Sequence, residues 1–330
     1  MTSLDVSANI GNTPLIFLKN LSEMTGCEIY GKAEFLNPGG SVKDRTALGI
    51  VRAAVAEGQL KRGTKLFEGT AGNTGIGLAT LAPVFGYKCC LVMPDNQATE
   101  KYSTLEALGA EVVKVAPCPF ANPAHFYHTA RRLSEESPGS FWANQFENLS
   151  NFRVHYETTG PEIWEQTDGK IDVFCAATGT GGTLAGVSRY LKEQKPAVQT
   201  VLVDPLGSGL FEHFRSGEIK TEGGSITEGI GIMRLTANYK EAKIDRAMRV
   251  DDNSMISMLY YLAREEGLLV GTSAALNVFA AYKLALENKG KGLKIVTVLC
   301  DSALRYQSKI FNPAWLAEKK LAPRPEDIRA

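Results

Sequence analysis

An α/β fold with mainly parallel sheets is the class that this 330-residue sequence predicts, and three observations predict it. Short β-rich runs alternate with longer helical patterns, the order that gives strand–helix–strand units. Several of the runs are apolar throughout, as strands covered on both faces require. Glycine-rich turns join some runs to the helical pattern that follows, and such folds bind ligands at those turns. In chain order, strands are expected at 28–33, 65–68, 88–93, 111–115, 172–176, 200–203 and 294–299. Helices are expected between them, at 43–57, 73–85, 99–108, 124–135, 152–165, 183–193, 253–266 and 274–287. The polar run 147–152 interrupts the pattern and marks a boundary. Two lobes with ligand loops in the crevice between them is the simplest architecture.

Composition narrows the function. Hydrophobic residues at 44% and charged residues at 22% describe a globular chain. Lysine plus arginine and aspartate plus glutamate both number 36, so nothing in the charge balance points to nucleic acid or an anionic membrane. The six cysteines show no C-x-x-C spacing and sit mostly in apolar runs, so no metal site is expected and the thiols read as buried and reduced. The start, Met1 to Asp5, has no basic region followed by an apolar core, so it does not read as a leader. The most apolar stretch, 75–93, is broken by Pro83, Gly86 and Lys88 and reads as helix, turn and strand rather than a membrane span. A cytoplasmic location is the expectation.

Three constellations carry chemistry. In the first, Pro38, Gly39, Gly40 and Ser41 make a tight turn and Lys43 opens a helical pattern. A lysine in the first helical turn is unfavourable by the macrodipole unless an anionic or covalent ligand compensates. On this window alone, a solvated lysine beside Asp44 is the simpler reading. In the second, Thr70 to Gly75 follows a strand and opens a helix, with glycines that let backbone N–H groups approach an anion and Asn73 offering donor and acceptor. An ordinary capped turn competes evenly there. In the third, Thr178 to Thr183 places dense small residues at a strand-to-helix junction, an anion cradle of N–H groups and hydroxyls. A dinucleotide reading competes, since Asp204 follows about 20 residues on, but the third glycine of that fingerprint is Leu184 here. A ligand with a phosphate, a ring hydroxyl and an aldehyde fits all three segments, although the residues alone do not select it.

Taken in order, the segments resemble the cysteine synthase and cystathionine β-synthase family of fold-type II pyridoxal-phosphate enzymes. The matching stretches are Ile10 to Leu15, Asn37 to Arg45, Thr70 to Gly75, Thr158 to Trp164 and Gly179 to Thr183, and with the later match at Ser273 they occur in order along nearly the whole chain. The resemblance implies a tryptophan synthase β-like fold, with a smaller mobile lobe of residues 1–14 and 37–148 and a larger lobe of 15–36 and 149–330. It implies pyridoxal 5'-phosphate as cofactor, with Lys43 carrying it and then serving as base. Asn73 would face the ring hydroxyl, Gly179, Thr180, Gly181, Gly182 and Thr183 the phosphate, and Ser273 the ring nitrogen. Thr70, Ala71, Gly72, Thr74, Gln145 and Gly229 would surround the substrate. The implied activity is cysteine synthase, from O-acetyl-L-serine and sulfide. Cystathionine formation, cysteine β-elimination and a non-catalytic regulatory role are the alternatives. A homodimer is implied, with serine acetyltransferase as a further partner. Three departures concern the donor and acceptor. Ala71 replaces the family's usual serine, the turn around Ser273 is less glycine- and serine-rich, and Asp301 to Tyr306 looks partly like the cystathionine β-synthase ending. The haem-binding extension and tandem regulatory domain of some cystathionine β-synthases are not expected in a chain of this length.

Overall fold

The computed structural model describes residues 4–328. Residues 1–3, part of the start read for a leader and of the smaller-lobe range, and residues 329–330, the end of the larger-lobe range, lie outside the described residues. The strands are β1 (Leu15–Phe17), β2 (Glu28–Lys32), β3 (Lys65–Gly69), β4 (Lys88–Pro94), β5 (Glu111–Val115), β6 (Phe141–Trp142), β7 (Val173–Ala177), β8 (Gln199–Pro205), β9 (Arg246–Val250) and β10 (Lys294–Val298). They form a six-stranded sheet of order β1-β2-β10-β7-β8-β9 and a four-stranded sheet of order β5-β4-β3-β6. Among the described strands only β1 and β2 pair antiparallel. The register sets Ile295 between Ile29 and Val173, and Leu66 between Cys89 and Phe141.

Every expected strand is present within a residue or two; β4, β7, β8 and β10 are the apolar runs buried almost throughout, whereas β5 is a half-exposed edge strand. The sequence pattern missed β1, β6 and β9. β1 and β6 are three and two residues long, too short for a period, and β9 is a charged edge strand, Arg-Ala-Met-Arg-Val. One large core packs helices Asp252–Glu265 and Thr272–Glu287 on the larger sheet. A second core fills the smaller sheet against helices Lys43–Ala56 and Asn73–Phe85.

The single helix expected at 152–165 is three pieces: Ser150–Val154, a π-helical turn His155–Thr159, and Gly160–Gln166. Pro161 has no N–H to donate to residue 157, and the Gly160 N–H bonds back to the His155 carbonyl instead. The wider turn puts His155 and Thr159 inside, joined at 2.9 Å.

An ion-pair network fixes the helix that begins with Lys43. Arg45 is fully buried and grips Glu34 with Nε and Nη2, both at 2.8 Å, and Glu162 with Nη1 at 2.6 Å. Lys32, also buried, reaches Glu162 at 2.6 Å. Such charges persist inside only when each is paired and hydrogen-bonded. The first turn of the Lys43 helix is thereby tied to the end of β2 and to helix Gly160–Gln166.

Candidate active site

The carboxyl ends of β3, β4, β7 and β10 open on one cleft of about 360 Å³. Lys43 lies in its wall as the first residue of helix Lys43–Ala56. Among the described residues, its Nζ makes no hydrogen bond or ion pair. Burial lowers the Lys43 ammonium below the ordinary lysine range, an effect opposed by Cys300, Asp301 and Glu34. An unpartnered, half-buried amine with a depressed pKa is poised for covalent or base chemistry.

The turn after β7 lies beside it. Gly179, Thr180, Gly181 and Thr183 line the cleft, and Gly182 sits just behind as the first residue of helix Gly182–Gln194. Gly181 has φ +92°, and a Cβ there would come within 2.5 Å of the Tyr239 backbone. A Cβ on Gly179 would strike the Gly229 carbonyl, and one on Gly182 the Asn151 side chain. These glycines are therefore required by the protein packed behind them, beyond any approach of an anion from the front. Thr180 Oγ1 accepts from Asn151 at 2.9 Å, and Thr183 Oγ1 lies 3.2 Å from His155 Nε2. Burial, aided by Arg45 and Lys43, pushes the His155 pKa far down, so the ring is neutral. His155 carried no signal in the sequence, because only the π-helical turn aims it at this loop.

Asp204 does not face the cleft. It is fully buried and accepts from the Phe211 N–H at 2.8 Å, so its carboxylate serves the next helix rather than a ribose. That removes the anchor of the dinucleotide reading.

The turn after β3 forms the opposite side, with Thr70, Ala71, Gly72, Asn73 and Thr74 all in the wall. Thr70 Oγ1 accepts from Gly72 N at 2.9 Å. Gln145 is fully engaged: its Oε1 accepts from Thr74 at 2.6 Å, and its Nε2 donates to Glu68 and to the Gly69 carbonyl, each at 3.1 Å. Burial raises Glu68 to about 8, so this carboxyl is largely protonated at neutral pH. Lys101 reaches across to the Ala71 carbonyl at 3.2 Å and to Glu228 at 2.6 Å, and Lys309 pairs with the other Glu228 oxygen. Glu228 thus ties the turn containing Gly229 to the Thr70–Thr74 loop. Gly229, at φ +80°, also lines the cleft.

Ser273 completes the wall from the first turn of helix Thr272–Glu287. Beside it, burial pushes the Cys300 thiol up to about 12, so it stays protonated. Asn277 anchors this corner, accepting from Ala177 N at 2.6 Å and donating to the Val298 carbonyl at 2.8 Å. Every residue that the resemblance assigned to the cofactor or the substrate, except Gly182, therefore lines one cleft. Arg234, Lys101, Glu228, Asp301 and Arg305 were not singled out as site residues, since each depends on partners far away in the chain.

A free amine facing a glycine–threonine cradle at a helix start is the donor set of an aldehyde-bearing phosphate cofactor, and the residues fit it. Residues 6–301 match the pyridoxal-phosphate dependent enzyme family, and the chain belongs to that family. It is 52% identical over 317 residues to Cysteine synthase 1 of Neurospora crassa, covering 94% of this chain and 84% of that protein. An O-acetylserine dependent cystathionine β-synthase from Helicobacter pylori superposes with a TM-score of 0.85 at 34% identity, covering 94% of this chain and 98% of that one. A hydrogen sulfide-producing enzyme from Fusobacterium nucleatum gives the same TM-score at 36% identity, with 92% and 100% covered. The chain is a pyridoxal-phosphate dependent enzyme, and no helix among the described residues is long and apolar enough to cross a membrane.

Proposed function

We propose that this enzyme is a cysteine synthase, which replaces the acetate of O-acetyl-L-serine with sulfide to give L-cysteine. The observation that carries the reading is the unpartnered Lys43 amine held between two anion-ready loops in one cleft. Lys43 would hold the cofactor through its aldehyde, and the backbone of Gly179 to Thr183 would hold its phosphate. Asn73 would face the ring oxygen and Ser273 the ring nitrogen. When bound, the cofactor accepts the electron pair left on the substrate Cα. The Thr70–Thr74 loop and Gln145 orient the substrate carboxylate, and Gly229 lines the opposite side. The Lys43 amine would take the α-proton of the bound substrate, a role that the burial lowering its pKa favours. Acetate then leaves Cβ, sulfide adds there, and Lys43 returns the proton to Cα. A neutral serine at the ring nitrogen would not hold it protonated, which would favour loss of the β-group over transamination.

In the same reading, residues 4–14 and 37–148 move as a smaller lobe over 15–36 and 149–328. The chain works in the cytoplasm as a homodimer and receives O-acetylserine from serine acetyltransferase. Each donor–acceptor pair is to be assayed separately: O-acetylserine with sulfide, serine with homocysteine, and cysteine alone. The first pair should turn over fastest, and faster sulfide release from cysteine alone would overturn the assignment.

One observation favours a second reading, a larger thiol acceptor as in cystathionine formation. Arg234 lines the cleft with its guanidinium 4.4 Å from the Phe120 ring centre, 4.9 Å from Tyr127 and 5.0 Å from Phe146. Those rings and the Glu147 carboxylate, to which Arg234 Nη1 donates, hold the guanidinium at the cleft wall, where the donors that Glu147 leaves free suit a second carboxylate. On this reading Arg234→Met raises KM for homocysteine and leaves KM for sulfide unchanged.

A further inference from the structure

We propose that Arg305 and Asp301 are positioning residues for the cofactor, acting through Asn73. They clamp its amide between opposite charges, so that an N–H is left facing the ring oxygen. This rests on the reading above, in which Asn73 meets that oxygen.

Asn73 is the first residue of helix Asn73–Phe85 and lies in the cleft wall. Its Oδ1 accepts from Arg305 Nη1 at 2.5 Å, and its Nδ2 donates to Asp301 Oδ2 at 2.7 Å. An amide can in principle turn over and present oxygen or nitrogen to a ligand. Here the turned amide would set its oxygen against the Asp301 carboxylate and its NH₂ against the Arg305 guanidinium. Both contacts would be repulsive, so the orientation is fixed and the group left for the cleft is the second Nδ2 hydrogen.

The clamp is itself held. Asp301 is fully buried and its Oδ2 also accepts from the buried Tyr306 hydroxyl at 2.5 Å. Arg305 lies close against the Gly40 backbone: a Cβ there would come within 2.8 Å of Arg305 Nη2. Its charge also acts on Asp44, the neighbour of Lys43. The short segment after β10 thus connects the lysine turn to the Thr70–Thr74 loop. A fixed donor favours negative charge on a ring oxygen, and that charge governs the visible absorbance of the bound cofactor.

The test compares Arg305→Met, Asn73→Ala and the double variant by the visible spectrum of bound cofactor and by equilibrium cofactor titration. Arg305→Met should shift the spectrum and weaken binding by roughly three- to tenfold, the worth of one hydrogen bond. In the Asn73→Ala background the same change should add nothing, because the residue it acts through is gone. Arg305→Lys, which keeps the cation, should restore most of the native spectrum and guards against a variant that merely fails to fold. An unchanged spectrum in Arg305→Met, or an equal shift in both backgrounds, overturns the clamp. If Asn73→Ala alone changes neither spectrum nor affinity, the assignment of Asn73 to the ring oxygen fails first, and the clamp falls with it.

Discussion

The loops after β7 and β3 face the same cleft and open helices in the same way, yet they are held by different means. Gly179 to Thr183 is fixed by backbone packing, with the Gly229 carbonyl, the Tyr239 main chain and Asn151 pressed where side chains would be. Thr70 to Thr74 is fixed by side chains and charge, from Lys101, Gln145, Asp301 and Arg305. The first loop has no room for variation. The second can be retuned by trading one contact, and it is the loop in which Ala71 stands for a serine. A constant cofactor and a variable substrate would each be served by such a division.

Breaking the element common to both loops should have the largest effect. Lys43→Ala should lower kcat by about 10³-fold or more, since a positioned base alone is worth 10²–10⁴. Borohydride reduction and peptide mapping of the native enzyme should find the modified lysine at Lys43. Next comes the packed loop. Gly181→Asp forces a side chain onto φ +92° against the Tyr239 backbone, and sets a carboxylate beside the proposed phosphate site. Its cofactor dissociation constant should rise on the order of a hundredfold, given that such backbone strain alone costs about 1–3 kcal/mol.

The charged loop should respond through stability. Glu228→Gln leaves Lys101, only 1% exposed, without its carboxylate. Breaking a buried pair in this way costs about 3 kcal/mol, read as a lower urea midpoint, whereas the packed loop has no such charge to lose. A pH profile sharpens the contrast. Burial raises Glu68 from its ordinary 4.5 to about 8, so the folded state binds the extra proton in that window. Stability from this group is complete below about pH 4.5 and is lost as pH rises towards 8. Glu68→Gln should flatten the fall of Tm over that range, and an unchanged slope would mean that Glu68 is ionised throughout.

The smallest effect is expected at Ala71. Ala71→Ser returns one hydroxyl to the substrate loop and should shift kcat/KM towards O-acetylserine, relative to the best other donor, by roughly tenfold or less. No change in that ratio would place donor choice nearer Gly229 or Gln145.

The same division explains what could be read from the sequence. The strand ends and both glycine loops were legible because small residues between an apolar run and a helix are a local signal, whereas Lys43 stood out only through the ordered resemblance, its own window reading more simply as a solvated lysine. The rest depends on pairs far apart in sequence. Asn73 meets Asp301 and Arg305 across more than 200 residues, and Lys101 meets Glu228 across 127. Arg45 and Glu162 are 117 residues apart, and each alone reads as a surface charge. The π-helical turn left only Pro161 as a trace, which is why 152–165 read as one helix.

The strand order also dictates when each sheet can be finished. The four-stranded sheet uses nothing beyond Trp142 and can be assembled from contiguous chain as synthesis proceeds. The six-stranded sheet cannot: β2 has to wait for β10, its parallel neighbour, with Glu28 aligned to Lys294. Until the last strand emerges, the edge of β2 is open and the corner that holds Ser273 lacks its support. A nascent chain thus carries a closed small sheet well before a closed large one, while the Thr70–Thr74 loop on that small sheet still waits for Glu228, Asp301 and Arg305 to hold it.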